Sequence, residues 1–231
     1  MTSYFFNTIL CLSLLSCLLA SSQEGTEFTI EKSAAVNYAI TPRWNIQGGT
    51  TYRNTLTESL SNEAIAWNSK HIQFSANTAY EVGFYGKLGG GILYRFNSIE
   101  TKDNENEVRL TQQYSYAKRY NGFRIGHRIK LDQRLRTSKN THRIRYRISS
   151  DFPLNGESLD VGELYAVLST ESIFNTGKKE SPAWDQRFTI GLGNQLFKKV
   201  KLQLNAQYRF ENYLISTQNR LFVTTQLYYK L

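Results

Sequence analysis

The stretch that indicates the fold most clearly runs from Val200 to Phe210 and reads VKLQLNAQYRF. Every second residue is apolar or aromatic, and the residues between them are polar or basic. Successive side chains of a β-strand point to opposite faces of the sheet, so this two-residue period predicts a strand with one apolar and one polar face. Residues 123–135, 142–148 and 221–231 show the same period, and basic residues fill most polar positions of the first two.

The alternation continues along most of the chain and predicts eleven strands. They span approximately 27–41, 43–56, 71–82, 86–97, 107–118, 122–135, 141–150, 161–174, 185–196, 199–213 and 219–231. Short connections alternate with longer polar ones at 57–70, 98–106, 175–184 and 214–218. This pattern is typical of a transmembrane β-barrel. We predict an all-β, up-and-down antiparallel barrel of ten to twelve strands, and prefer twelve because single-chain bacterial barrels have even strand numbers.

Composition narrows the class of protein. The 231 residues include 28 Lys+Arg and 19 Asp+Glu, a formal charge of +9, and 13% are aromatic. The mean hydropathy of −0.46 excludes a helical membrane protein, and the aromatic content excludes a disordered chain. The basic residues follow many strands instead of forming one stripe, so we expect no nucleic-acid partner.

A soluble sandwich or lipocalin-like barrel would also alternate, but its core would not bury so many arginines. Aromatic residues near both strand ends favour a membrane barrel instead, because they form girdles at the two interfaces. Examples on the apolar face are Trp44, Tyr52, Tyr80, Tyr94, Tyr208 and Tyr213. We therefore expect the lipid bilayer of a bacterial outer membrane as the main partner.

The N-terminal segment predicts export. Residues 4–20 form the longest apolar run and end in small residues, so residues 1–22 resemble a secretory signal peptide cleaved before Gln23, with the barrel at 23–231. An alternative is lipidation of Cys17, which follows Leu14-Leu15-Ser16. The second cysteine, Cys11, lies in the same segment, so we expect neither a disulfide nor a thiolate nucleophile in the mature chain.

The polar faces of the strands predict an interior rich in charge. The charged cluster expected there comprises Arg124, Arg128, Lys130, Asp132, Arg134, Arg143, Arg145, Arg147, Glu163, Glu171, Arg187, Arg209 and Glu211. In one interpretation these side chains form ion pairs between neighbouring strands and close the barrel. In the other, the basic surplus lines a water-filled path that favours a small anionic solute, as in anion-preferring pores.

The third alternative, a lipid-modifying enzyme, has weak support. His71 is expected to open a strand, while His127 and His142 have the lipid-facing parity. No Gly-x-Ser-x-Gly motif and no metal-ligand spacing occur in the sequence. We therefore expect no enzymatic activity, no metal and no cofactor.

Five stretches carry a family resemblance. They read EVRLTQQYSYAKRYNGFRIGHRIKLDQRL (107–135), THRIRYRISSDFPL (141–154), LYAVLSTESIFN (164–175), DQRFTIGLGNQL (185–196) and KLQLNAQYRFENY (201–213). Together they resemble an outer-membrane barrel family of Bacteroidota catalogued as domain-of-unknown-function family 2490. The resemblance covers about 27–231. It implies an outer-membrane barrel and assigns no reaction, ligand or functional residue. The C-terminal strand, with Leu227, Tyr229 and Leu231, also resembles the signal that the barrel-assembly machinery recognises, although Leu replaces the usual terminal aromatic residue.

Overall fold

The structure, a computed structural model, describes residues 27–58, 65–97, 105–156, 159–178 and 180–231. Eleven strands are found there: β1 (Glu27–Thr41), β2 (Trp44–Glu58), β3 (Ile65–Val82), β4 (Gly86–Phe96), β5 (Glu107–Tyr120), β6 (Phe123–Leu135), β7 (Asn140–Pro153), β8 (Leu164–Gly177), β9 (Glu180–Phe197), β10 (Val200–Glu211) and β11 (Gln218–Lys230). Each strand pairs with the next along the chain, and β1 pairs with β11 to close a barrel. The predicted all-β barrel is confirmed.

In the described part of the chain, no helix is long and apolar enough to cross a membrane. The predicted signal peptide, residues 1–22, and both cysteines lie outside the described residues.

The preference for twelve strands is wrong, because the barrel closes through a parallel pair. Glu27 lies opposite Arg220 and Asn37 lies opposite Lys230, so β1 and β11 run in the same direction. An even strand number is needed only when the first and last strands are antiparallel. A parallel pair still satisfies the backbone N–H and C=O groups at the seam, which is the requirement for closure in hydrocarbon. The two ends of the described barrel chain, near Glu27 and Lys230, therefore lie at opposite ends of the cylinder.

Two connections that the sequence predicts as long loops belong largely to strands. β3 begins at Ile65 and β9 begins at Glu180, so most of 175–184 forms a hairpin in which Gly177 pairs with Glu180. Polar residues such as Asn175 favour a loop in the sequence, but here Asn175 donates a hydrogen bond to Asp185 inside the barrel (2.9 Å). On the outer wall, the rings of Phe174 and Trp184 pack with centroids 4.9 Å apart. Long-range pairing therefore overrides the local polar composition.

The connections divide the barrel into two ends. The turn end carries the connections that follow β1, β3, β5, β7 and β9, and the loop end carries those that follow β2, β4, β6, β8 and β10. One of the two-residue turns, between β5 and β6, consists of Asn121 and Gly122, and Gly122 has a φ of 76° that favours glycine. The first strand therefore starts at the loop end, and the last strand finishes at the turn end.

The placement of polar and apolar side chains is inverted relative to that in a soluble protein. Among the described residues, sixteen polar or charged residues are buried, but only Tyr165, Ile173 and Phe222 are buried hydrophobic residues. Large apolar side chains are instead exposed on the outer wall along the strands. Exposed aromatic residues lie near the turn end (Tyr38, Trp44, Tyr80, Tyr116, Tyr120, Tyr229) and near the loop end (Trp67, Tyr94, Phe96, Trp184, Tyr213). The apolar face thus forms the outside of the cylinder, and the polar face forms the inside.

Candidate functional site

The strand register brings one carboxylate into a row of arginines at mid-height of the interior. Arg128 on β6 lies opposite Arg147 on β7, and Arg147 lies opposite Glu171 on β8. Glu171 in turn lies opposite Arg187 on β9, which lies opposite Arg209 on β10. Every second residue of each strand faces inward, so the sequence alternation alone directs these side chains into the barrel. Their mutual contacts depend on the register.

Glu171 is the centre of this row. Its side chain is 2% exposed, and four guanidinium groups surround it. Arg145 donates from one Nη to both carboxylate oxygens at 3.1 Å. The ion-pair distances are 3.2 Å to Arg128, 3.2 Å to Arg147 and 3.7 Å to Arg187. A buried carboxylate with this many charge-assisted contacts is held in one position.

Glu107 forms a second centre nearer the loop end. Its side chain is completely buried, and it contacts three arginines. The nitrogen-to-oxygen distances are 2.6 Å to Arg109, 2.8 Å to Arg134 and 2.6 Å to Arg136. Arg136 lies just after β6, where the sequence predicts a polar connection, so the predicted cluster does not include it. Its position after the strand gives no sequence signal that the side chain turns inward.

Asp132 is a third buried carboxylate and shares Arg145 with Glu171. Its Oδ1 accepts a hydrogen bond from the Thr111 hydroxyl (2.8 Å), and Lys130 Nζ lies 3.6 Å away. Its Oδ2 lies 3.2 Å from Nη1 of Arg145, the same arginine that contacts Glu171. Arg145 therefore bridges two buried carboxylates. We call Glu107, Asp132, Glu171 and their basic partners the carboxylate network.

Three more predicted cluster residues lie in the same part of the interior with other partners. Arg143 Nε donates to Asn175 Oδ1 (2.5 Å) instead of to a carboxylate. Glu211 lies 3.2 Å from Arg220, which also contacts Glu27 across the β1–β11 seam (3.0 Å). These contacts extend polar pairing from the carboxylate network toward the seam.

The third of these residues, Arg209, stacks on an aromatic side chain. Its guanidinium carbon lies 3.3 Å from the ring centroid of Phe222, and the guanidinium of Arg53 lies 5.1 Å from the same ring. Phe222 is 2% exposed inside the barrel, between two cations. Its aromatic character suits the outer wall, so the alternation does not single it out as an interior residue. Its contacts are cation–π interactions, which are strongest when desolvated.

Two residues of the predicted cluster lie apart from the carboxylate network. Arg124 lies at the turn end, where its half-exposed side chain donates to Asp151 at 2.9 Å. Glu163 precedes β8, which begins three residues after the approximate start predicted at 161, and its carboxylate accepts a hydrogen bond from the Asp160 N–H (3.0 Å). The reason is the turn at Gly162, whose φ of 89° interrupts an extended strand.

The three histidines lie in different environments. His71 does not open its strand as expected; it lies within β3, is 4% exposed, and its Nε2 has no hydrogen-bond partner. His127 lies on the outer wall, where its Nδ1 shares a hydrogen bond with the Tyr146 hydroxyl (3.0 Å). His142 alternates with the inward Arg143 and therefore shares the outward parity of its neighbour Ile144.

Toward the turn end, the interior opens into a cavity of about 610 Å³. The inward positions become small there: β7 changes from Arg147 to Ser149, and β8 changes from Glu171 to Ser169. Seven basic side chains line the space, namely Arg119, Arg124, Arg147, Lys198, Lys199, Lys201 and Lys230. Asp151 is the one carboxylate among the lining residues. We call this space the basic cavity.

The family model that matches this chain agrees with the family resemblance in the sequence. One similar solved structure is OmpT (in-vitro folded), an outer membrane protein of Vibrio cholerae, with a TM-score of 0.40, 7% identity and coverage of 76% of this chain and 77% of that chain. No curated protein matches this chain. The family model described as "Protein of unknown function (DUF2490)" matches residues 32–227. This match spans most of the sequence, so the chain belongs to the DUF2490 family.

Proposed function

We propose that this protein is a bacterial outer-membrane β-barrel whose interior is closed by ion pairs, and that it is not an open diffusion pore. The observation that carries this proposal is the environment of Glu171, which is 2% exposed among four arginines. A water-filled channel at this height would leave the carboxylate hydrated. Its burial instead supports a barrel interior filled by side chains.

The outer surface supports residence in a membrane. Apolar side chains cover the outside of the cylinder, with aromatic residues near both ends. Closure of the sheet pairs the backbone polar groups that hydrocarbon would leave unsatisfied. We further propose export through the signal peptide at 1–22. Recognition of β11 by the barrel-assembly machinery would rest on its alternating Leu227, Tyr229 and Leu231.

The carboxylate network is suited to holding neighbouring strands together through the interior. Arg145 connects Asp132 on β6 with Glu171 on β8, and Arg134 connects β6 with Glu107 on β5. Each bridge joins different strands and uses the planar donor fork of arginine. Phe222 and Arg209 fill the neighbouring space with a stacked pair. These contacts join β5 to β8, and β10 to β11, through the interior of the barrel.

Planar-bilayer recording tests the closed interior. We expect the purified wild-type barrel to insert into the bilayer without producing steady channel currents, because the carboxylate network blocks the path between the two ends of the barrel. A matched reference is the variant Glu81→Gln, which alters a half-exposed pair with Lys87 outside the network and should also remain silent. Discrete channels in the wild type would overturn the proposal.

A second candidate function is passage or binding of a small anionic solute. The basic cavity favours it, because one carboxylate accompanies seven basic side chains there. Channels with anion preference in the same recordings would support this candidate over the closed barrel.

We propose no catalytic role for this chain. His127 faces outward and bonds to Tyr146, and the Nε2 of His71 has no partner in the interior. Acyl transfer requires a nucleophile beside a positioned base. Ser→Ala and His→Ala scans with phospholipid substrates test this view, and hydrolysis by the wild type that one such variant abolishes would contradict it.

A further inference from the structure

We infer that the basic cavity is a binding site for a small polyanion, meaning a molecule or lipid headgroup that carries two or more phosphate groups. The inference rests on the proposed closed interior, because the carboxylate network forms the inner floor of the cavity. Arg147 belongs to both regions: it lines the cavity and lies 3.2 Å from Glu171. A ligand would therefore enter and leave through the turn end.

Most of the positive charge of the cavity has no carboxylate partner. Arg124 pairs with Asp151, and Arg147 pairs with Glu171. Among the described residues, no carboxylate lies within ion-pair distance of the other five basic side chains, which are Arg119, Lys198, Lys199, Lys201 and Lys230. Like charges that converge on one space repel each other, and a bound anion relieves that repulsion. A single negative charge would compensate only a small part of this surplus, so the cavity favours a ligand with several.

The kinds of donor in the cavity match phosphate. Lysine binds phosphate as a mobile point charge, and arginine binds it through two parallel N–H groups. Both occur here, together with the inward side chains of Ser149, Ser169 and Gln203. The cavity volume of about 610 Å³ is within the range of small-molecule sites.

One wall of the cavity is held in place before any ligand arrives. Tyr165 lies against Gly193, where an added Cβ would be 2.2 Å from the tyrosine ring. The Tyr165 hydroxyl donates to Gln203 (3.0 Å), and Lys201 Nζ lies 6.0 Å from the centre of the same ring. Gly193 thus creates the space that Tyr165 occupies, and Tyr165 supports Lys201. A preorganised wall reduces the entropy lost on binding.

Isothermal titration calorimetry on the full-length barrel, folded in a non-ionic detergent, tests this site. Tripolyphosphate is the probe, and orthophosphate at equal ionic strength is the reference. We expect tripolyphosphate to bind about tenfold more tightly than orthophosphate, because it contacts several cations at once. Binding should weaken as NaCl is raised, since salt screens exposed charges.

Matched variants locate the binding. The double variant Lys201→Gln/Lys230→Gln should weaken tripolyphosphate binding by about tenfold. The control Lys118→Gln also removes a lysine near the turn end, but Lys118 lies on the outer wall against Tyr85 and Tyr120 and should leave binding unchanged. Heat-dependent gel mobility verifies that each variant is folded. Equal binding by the wild type and the double variant, or no binding by the wild type, would overturn the inference.

Two further experiments distinguish a lipid ligand from a soluble one, and the polyanion site from the closed interior. If micelles of a bis-phosphorylated lipid compete with tripolyphosphate, the site takes a lipid headgroup; without competition it takes a soluble polyanion, and both results retain the site. Bilayer recordings on the same preparation address the closed interior independently. Channels with intact tripolyphosphate binding would contradict only the closed barrel, whereas silence without binding would contradict only the polyanion site.

Discussion

From mid-height to the loop end, the barrel interior holds carboxylates such as Glu171 and Glu107 that are each surrounded by guanidinium groups. Toward the turn end, it holds basic side chains around an open cavity with one carboxylate. Both regions are built from inward positions of the same strands. They differ in the number of acidic residues and in the size of the side chains that lie between the basic ones.

This difference shows how one alternation produces two kinds of interior. Where acids lie among long basic side chains, ion pairs form and the carboxylates are buried. Where Ser149 and Ser169 replace long side chains, the cations remain accessible and unpaired. Removing one partner of a buried ion pair lowers stability strongly, because the remaining partner is left charged in a poorly hydrated place. Replacing a solvated basic side chain should cost little stability, because its charge interacts mainly with water and not with a buried partner.

The largest expected effect comes from removing the central carboxylate. Glu171→Gln leaves four arginines without their shared partner and should lower the free energy of unfolding by about 3–5 kcal/mol. The measurement is the temperature at which the SDS-resistant folded form unfolds on a gel. The control Glu81→Gln breaks a half-exposed pair and should have little effect. Equal unfolding temperatures for both variants would remove the distinction between the two regions.

A smaller loss is expected for the bridging arginine. Arg145→Ala removes contacts to Asp132 and Glu171, but Lys130 remains near Asp132 and three arginines remain near Glu171. We expect a loss of about 2–3 kcal/mol. In the double variant Arg145→Ala/Glu171→Gln, the two losses should be less than additive, because the residues contact each other. Additive losses in chemical unfolding experiments would show that the pair is not coupled.

The basic cavity should respond in the opposite direction and more weakly. Lys201→Gln/Lys230→Gln reduces repulsion among unpaired cations, so the unfolding free energy should stay constant or rise by about 0.5 kcal/mol at low salt. The same gel assay applies, and raised NaCl should remove the increase. A marked loss of stability would mean that these lysines have structural partners like those of the carboxylate network.

The smallest effect concerns an exposed carboxylate at the loop end. Hydrogen bonds from the Ser138 hydroxyl (2.6 Å) and backbone N–H (3.1 Å) hold the pKa of Glu105 below its ordinary value of 4.5. A depressed folded-state pKa contributes stability above the unfolded-state value and loses it as the pH falls through the folded-state value. Wild type should therefore lose a small advantage over Glu105→Gln below about pH 4.5. An unchanged difference across that range, measured by thermal unfolding, would contradict this.

The alternation in the sequence predicts the wall of the barrel, but it does not predict most of the pairing inside it. The strand order predicts that the arginines on β7 lie between Asp132 and Glu171. It does not indicate that Arg145 bridges both carboxylates while Arg143 binds Asn175. The two-residue period does not identify Arg136 or Phe222 as interior residues, because one follows a strand and the other is an aromatic residue on the polar face. It also assigns Glu163 to a strand, because the turn at Gly162 is not visible in such a period.

The sequence by itself determined that the chain forms strands with an apolar outside and a charged inside, since this follows from the local direction of successive side chains. The tertiary structure alone decided the number of strands, through the parallel seam between β1 and β11. It also decided which charges pair and where the cavity opens. Contacts such as Arg128 with Glu171 join residues 43 positions apart, and only closure and register bring such residues within reach.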